Sequence, residues 1–305
     1  MKIRFWGVRG SIPCPGPDTV KYGGNTACIE IRFHGSDRIM ILDAGSGIRS
    51  LAGFLMTHDL KRGPLNLNLF LSHTHLDHIL GFPFFVPLYI PQSTVNVYGP
   101  VTFEEGSLQD VMAGQLSYRY FPVRLDQLLS KIEYIALAEG VLDLGDGIIL
   151  KTIYLNHSLL CLGYRFEREG KVLCTAYDTE PFCNIFPSDV NDPSYDEAMA
   201  IEGETAAQAA NERIESFYAG ADLLIHDAQY TQEEYESGKV GWGHSSFKQA
   251  IAAARRAGVK RLALFHHEPL RTDKQMDELA AIYCSAGGKG ETEIFFAREG
   301  MEIEI

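Results

Sequence analysis

Short apolar runs recur along the chain, each closed by glycine, proline or small polar residues. Such runs read as buried strands. In the first half they are Lys2–Trp6, Thr26–Phe33, Arg38–Leu42, Leu67–Ser72 and Thr94–Tyr98. In the second half they are Gly147–Leu155, Leu160–Phe166, Val172–Ala176, Asp222–His226, Arg261–Phe265, Glu293–Ala297 and Met301–Ile305. Between them, helical spacing of apolar residues predicts helices over Ile48–Thr57, Leu108–Leu116, Thr205–Tyr218, Phe247–Ala257 and Asp273–Ser285. The last opens on Thr272-Asp273-Lys274-Gln275, a capping box. Gly81–Tyr89 is apolar but broken by prolines, so it predicts a short helix and a loop.

Each half carries several strands and then helices. That layout predicts an α/β architecture, an αββα sandwich. Two mixed β-sheets pack face to face, with helices on both outer faces. A single domain over residues 1–305 accommodates it. One connection is long: the Gly/Pro-rich Gly10–Gly24. A loop of that length in a compact domain is often functional. Aromatics in Ser117–Pro122 are expected to pack on the core rather than to line a pocket.

Composition narrows the class. The chain has 305 residues, 46% hydrophobic and 22% charged, so it can bury a sizeable core. A formal charge of −13 argues against a broad basic nucleic-acid face. The six cysteines form no C-x-x-C pair and are expected to be buried thiols. Neither a signal peptide nor a run of 18 apolar residues is found, so no membrane span and a cytoplasmic location are expected.

Chemistry concentrates after Leu67–Ser72. His73-Thr74-His75-Leu76-Asp77-His78 packs candidate metal ligands at a strand end, in a chain with only ten histidines. Imidazole and carboxylate suit Zn²⁺ first, and Mn²⁺ or Fe²⁺ as well. One ion could take His73 and His75, a second Asp77 and His78. Later candidates also sit at strand ends: His157, Asp178, and His266 with His267 as its rival for the same position. Asp178 can bridge, because a carboxylate has two oxygens. Asp43, in Leu42-Asp43-Ala44-Gly45, reads on local grounds as a candidate helix cap.

These residues resemble the metallo-β-lactamase-fold hydrolases. His73-x-His75-x-Asp77-His78 with His157, Asp178 and His266 matches the ligand set in order, and Asp43 matches the aspartate that supports the ligand loop. Asp178, Gly243-His244-Ser245-Ser246 and His226-Asp227-Ala228 resemble the phosphodiesterase branch, which includes tRNase Z and cyclic-nucleotide phosphodiesterases. The opening Phe5–Ser11 and Tyr22–Thr26 look like a bacterial subgroup with cyclic-nucleotide-degrading members. The resemblance implies a metal-dependent phosphodiesterase with two divalent ions and a bridging hydroxide. Asp77 would ligate and orient it, and His244 with Asp227 would serve the leaving group. Ser158-Leu159-Leu160 departs from the Pro-Gly turn usual after the third histidine, and no long basic arm like that of tRNase Z is present. A small phosphodiester, first of all a 3′,5′-cyclic nucleotide, is therefore expected. A tRNase Z-type nuclease and a non-catalytic metal-bound nucleotide sensor are the alternatives. The branch also admits a homodimer, and Tyr22–Thr26 is a candidate pocket wall.

Overall fold

The computed structural model describes residues 1–100, 106–288 and 290–305. The first six strands are β1 (Lys2–Gly7), β2 (Cys28–Arg32), β3 (Ile39–Leu42), β4 (Asn66–Phe70), β5 (Thr94–Pro100) and β6 (Lys131–Leu137). The next seven are β7 (Gly140–Asp143), β8 (Ile149–Leu155), β9 (Cys161–Arg168), β10 (Lys171–Ala176), β11 (Leu223–Asp227), β12 (Arg261–Phe265) and β13 (Glu293–Phe296). The last, β14 (Glu302–Glu304), returns to the first sheet beside β1. The sheets run β14-β1-β2-β3-β4-β5-β6 and β13-β12-β11-β10-β9-β8-β7. Both are mixed: β3 to β6 and β10 to β13 are parallel, the rest antiparallel.

Alternation along the central strands explains why they are apolar throughout. Met40 and Leu42 face the other sheet while Ile41 faces the helices outside. Likewise Ala263 and Phe265 point inward, and Leu262 and Leu264 outward. A strand covered on both faces has no polar side to show. On the first sheet, α1 (Ile48–His58) places Leu51 and Leu55 over Ile41, Leu67 and Leu69. Still in order come α2 (Leu76–Ile79), α3 (Leu108–Gln115), α4 (Glu197–Tyr218), α5 (Gln232–Glu236), α6 (Phe247–Arg256) and α7 (Asp273–Tyr283). Ala250 and Ala254 of α6 and Met276 of α7 join the layer over the second sheet.

Several elements differ from the sequence expectation, the short helices α2 and α5 among them. Helix α4 begins at Glu197, upstream of the expected Thr205, capped by the Asp196 side chain on the Met199 amide. Strands β6 and β7 were not foreseen; β6 mixes exposed positions with half-buried ones such as Ile132 and Tyr134, and β7 is exposed throughout. The cysteines are all free, but only Cys28, Cys161 and Cys174 are buried, and Cys183 is exposed. No helix among the described residues is long and apolar enough to cross a membrane.

Candidate metal centre

Strands β3, β4, β8, β10 and β12 deliver their carboxyl ends to one edge of the sandwich. Asp43 follows β3, and Ser72 and His73 follow β4; His157 follows β8, Asp178 follows β10 and His266 follows β12. These side chains meet in two groups. His73, His75, His157 and Asp178 form one; Asp77, His78, Asp178 and His266 form the other. Within each, one ligand atom per residue lies within 4.8 Å of the rest.

In the first group His73 Nε2 and His157 Nε2 each lie 3.0 Å from His75 Nδ1, and 3.5 and 3.8 Å from Asp178 Oδ2. In the second, Asp178 turns its other oxygen: Oδ1 is 3.2 Å from His78 Nε2 and 3.3 Å from His266 Nε2. Asp77 Oδ2 is 3.3 and 3.2 Å from the same two nitrogens. Donors about 2.0–2.1 Å from a tetrahedral Zn²⁺ stand about 3.3–3.4 Å apart, so both groups are sized for such an ion. Buried His78 Nε2 and Asp178 Oδ1 make no hydrogen bond, a costly state for polar atoms unless an ion satisfies them. The residues fit two divalent ions with Asp178 shared between them.

The other ring nitrogens are anchored. His78 Nδ1 donates to Asp43 Oδ2 at 2.7 Å, and His157 Nδ1 donates to the Gly243 carbonyl at 3.0 Å. Ser72 Oγ donates to Asp43 Oδ2 at 2.8 Å, which leaves it free to accept from His73 Nδ1 at 3.0 Å. These partners set the tautomers so that Nε2 faces inward. Asp43 also accepts the Ser72 amide at 2.6 Å. It therefore braces the histidine loop, while Gly47 occupies the N-cap of α1. Asp43 and His266 both adopt left-handed backbone, at φ 59° and 61°. That conformation costs about 1–3 kcal/mol per residue and persists where the surroundings over-determine it.

Close approach also dictates two glycines. A Cβ on Gly10 would lie 2.3 Å from the His266 ring, and one on Gly243 equally close to His157 Nδ1. The Gly10–Gly24 loop is tied down by Arg9, whose buried guanidinium donates to the Gly23, Glu268 and Arg271 carbonyls. From that loop the Ser11 amide donates to Asp77 Oδ2 at 2.7 Å. Sequence reasoning gave Arg9 and Ser11 no role; the signals were the Phe5–Ser11 resemblance and the length of the loop that follows. Tyr22 is turned away into the core and packs on His267 and Phe296, so it does not wall the site. His267 is turned away too, its Nε2 2.8 Å from the Ala297 carbonyl. Of the two rivals, the fold brings His266 to the cluster.

His244 and Asp227 stand against the second group. His244 Nδ1 donates to Asp227 Oδ2 at 3.1 Å, and its ring stacks on His266 at 4.9 Å. Asp227 Oδ2 also accepts the Ser245 and Thr179 amides. Burial lowers the His244 pKa, but the Asp227 charge outweighs it and holds the imidazole up at about 9. Its Nε2 carries no protein partner among the described residues. The arrangement sets an imidazole, paired with a buried carboxylate, beside the two groups of candidate ligands.

The comparisons with known proteins follow this geometry. Residues 203–267 match the model of the Beta-lactamase superfamily domain. Ribonuclease Z of Lactococcus lactis is 29% identical over 228 residues, covering 65% of this chain and 69% of the relative. Ribonuclease Z of Thermococcus kodakarensis is 29% identical over 290 residues, covering 87% and 85%. The crystal structure of the short form of human tRNase Z superposes with a TM-score of 0.62 at 20% identity, covering 100% of this chain and 99% of the other. The chain is thus a β-lactamase-fold metal-dependent hydrolase with ribonuclease Z homologues.

Proposed function

We propose that the protein hydrolyses phosphodiesters and that its substrate is RNA. The observation that carries the phosphodiester reading is the His244–Asp227 pair set against His266. A β-lactam or lactone needs no such donor. The ribonuclease Z relatives support RNA as the substrate class.

His73, His75, His157 and Asp178 would hold one ion, and Asp77, His78, His266 and Asp178 the other. Bound divalent ions would supply Lewis acidity toward a water and the phosphoryl oxygens. Asp77, its pKa held low by His78 and His266 despite burial, stays a carboxylate and orients that water. His244, kept charged by Asp227, donates from Nε2 to the phosphate and protonates the leaving oxygen. Asp43 and Ser72 keep the histidine loop in register throughout.

The cyclic-nucleotide expectation is carried by none of these relatives. One observation still favours a small substrate: the charge of −13, since RNA binding normally rests on basic surface. A panel separates the two: bis-p-nitrophenyl phosphate, 3′-extended structured RNA, 3′,5′-cyclic nucleotides and a β-lactam, with added Zn²⁺ or Mn²⁺. Chelator-sensitive cleavage of the RNA and of bis-p-nitrophenyl phosphate is expected. Cyclic-nucleotide turnover without RNA cleavage would transfer the substrate to the small-molecule reading. Silence on every phosphodiester, with metal bound, would discard both.

A further inference from the structure

The segment between α5 and α6 carries more than His244. Glu180, buried two residues beyond Asp178, clamps it. Its carboxylate accepts the Tyr235 hydroxyl at 2.5 Å, the Gly241 amide at 2.8 Å and the Gly243 amide at 2.9 Å. From this clamped loop Trp242 projects into solvent, 57% exposed. Lys239 Nζ sits 3.6 Å from the centroid of its indole and 5.5 Å from that of Tyr230. Tyr230 in turn lies 6.2 Å, ring to ring, from His244. A continuous track of rings and one cation therefore leads from the candidate proton donor to the exposed indole.

Three features set Trp242 apart from an ordinary surface aromatic. Its loop is rigidly held, so little ordering is left to do on binding. Among the described residues Lys239 forms no ion pair, although the chain carries a net charge of −13. No other aromatic ring of the described residues packs on the indole, and its N–H has no protein partner. Such a ring suits a planar partner, because base–aromatic stacking tolerates any base.

We infer that Trp242 and Lys239 form a nucleotide subsite, in which the indole stacks one base of the substrate and the ammonium faces its phosphate. This subsite rests on the phosphodiesterase reading above.

The test uses two substrates with the same leaving group, thymidine 5′-(p-nitrophenyl phosphate) and methyl p-nitrophenyl phosphate. In Trp242→Ala the ratio of kcat/KM, nucleoside over methyl ester, should fall about tenfold, and Trp242→Phe should retain most of it. An unchanged ratio in Trp242→Ala overturns the subsite even while both esters are hydrolysed. If the wild type hydrolyses neither ester and the panel above is silent too, the phosphodiesterase reading has failed by itself; in either case fluorescence then decides the subsite. The chain has two tryptophans, and Trp6 is buried with its N–H on Glu30. AMP should quench the emission of the metal-loaded protein, ribose 5-phosphate should not, and Trp242→Phe should abolish the AMP response. Absence of quenching by AMP would overturn the subsite.

Discussion

On one side of the cluster, His73, His75, Asp77 and His78 come from a single turn of chain after β4. On the other, His157, Asp178, Asp227 and His266 each come from a different strand of the second sheet. The near side is braced locally, by Asp43 and Ser72 under the same loop. The far side has no such local brace. Its ligands keep their spacing through sheet register and through long-range ties: Glu180 to the α5–α6 loop, and Arg9 to the Gly10–Gly24 loop. A local cluster can be set by spacing in the chain. A distributed one needs residues whose only task is to join loops.

The largest effect should come from the residue that belongs to both sides. Asp178→Ala removes the shared carboxylate, so both ions should be lost and turnover should fall to background. Metal analysis of the purified variant checks this; retention of a full complement of metal would show that the two groups do not depend on Asp178. Next is His244→Ala, which lies on the far side and outside the two ligand groups that share Asp178, though with Asp227 and His266 it makes a third cluster. Turnover should drop about 10²–10⁴-fold with metal content unchanged. Equal metal loss there would make His244 a ligand instead of a donor.

The same pair fixes a pH dependence. Asp227 raises the His244 pKa above its ordinary value, so the charged donor is present at lower pH and is lost as pH rises through the shifted value. Metal charge nearby works against that shift, so the alkaline limb of kcat should fall at or below about pH 9. Asp227→Asn removes the charge that opposes burial, and the limb should move to lower pH. An unmoved limb would assign it to another group.

A smaller change is expected on the near side from Asp43→Asn. Asparagine tolerates left-handed backbone, so the φ of 59° is preserved while the charge under Ser72 and His78 is lost. Metal affinity should fall about 10–100-fold, read by chelator competition.

The unequal construction of the two sides explains what was legible in the sequence. His73 to His78 announce themselves because three imidazoles and a carboxylate follow one apolar strand. His157, Asp178 and His266 are visible as polar residues at strand ends, once the first cluster demands partners. Between His266 and His267 the place in the motif favours His266, and the structure turns that ring to the cluster, on left-handed backbone at φ 61°, while His267 faces the Ala297 carbonyl. Glu180 gave no signal and Arg9 showed only as part of the Phe5–Ser11 resemblance, because a carboxylate after Asp178 or an arginine after Val8 acquires its role only when a distant loop docks on it. The fold was read from apolar runs and helical spacing, and it failed where burial departs from them: β6 is only half-buried, β7 is exposed, and the first turns of α4 leave Met199 and Ile201 in solvent.

The finest test of the far side is Glu180→Gln. The carboxamide keeps the size of the side chain and one acceptor, but turns an NH₂ toward an amide that needs an acceptor. With Oε2 now held by the Gly241 and Gly243 amides, and Oε1 by Tyr235 and Gly241, one set must be lost. Losing the hold on Gly243 would loosen the carbonyl that anchors His157 Nδ1 and, one residue on, the backbone of His244. A modest fall is expected, about tenfold, since a hydrogen bond to a charged group is worth about 1.5–3 kcal/mol and only part of that reaches the ligands. It should appear together in turnover and in affinity for the ion on His157, while the ion on His78 is unaffected, since Asp43 braces that side independently. Equal weakening of both ions would mean that Glu180 supports the whole edge of the sandwich, and the two sides would no longer be separate in their construction.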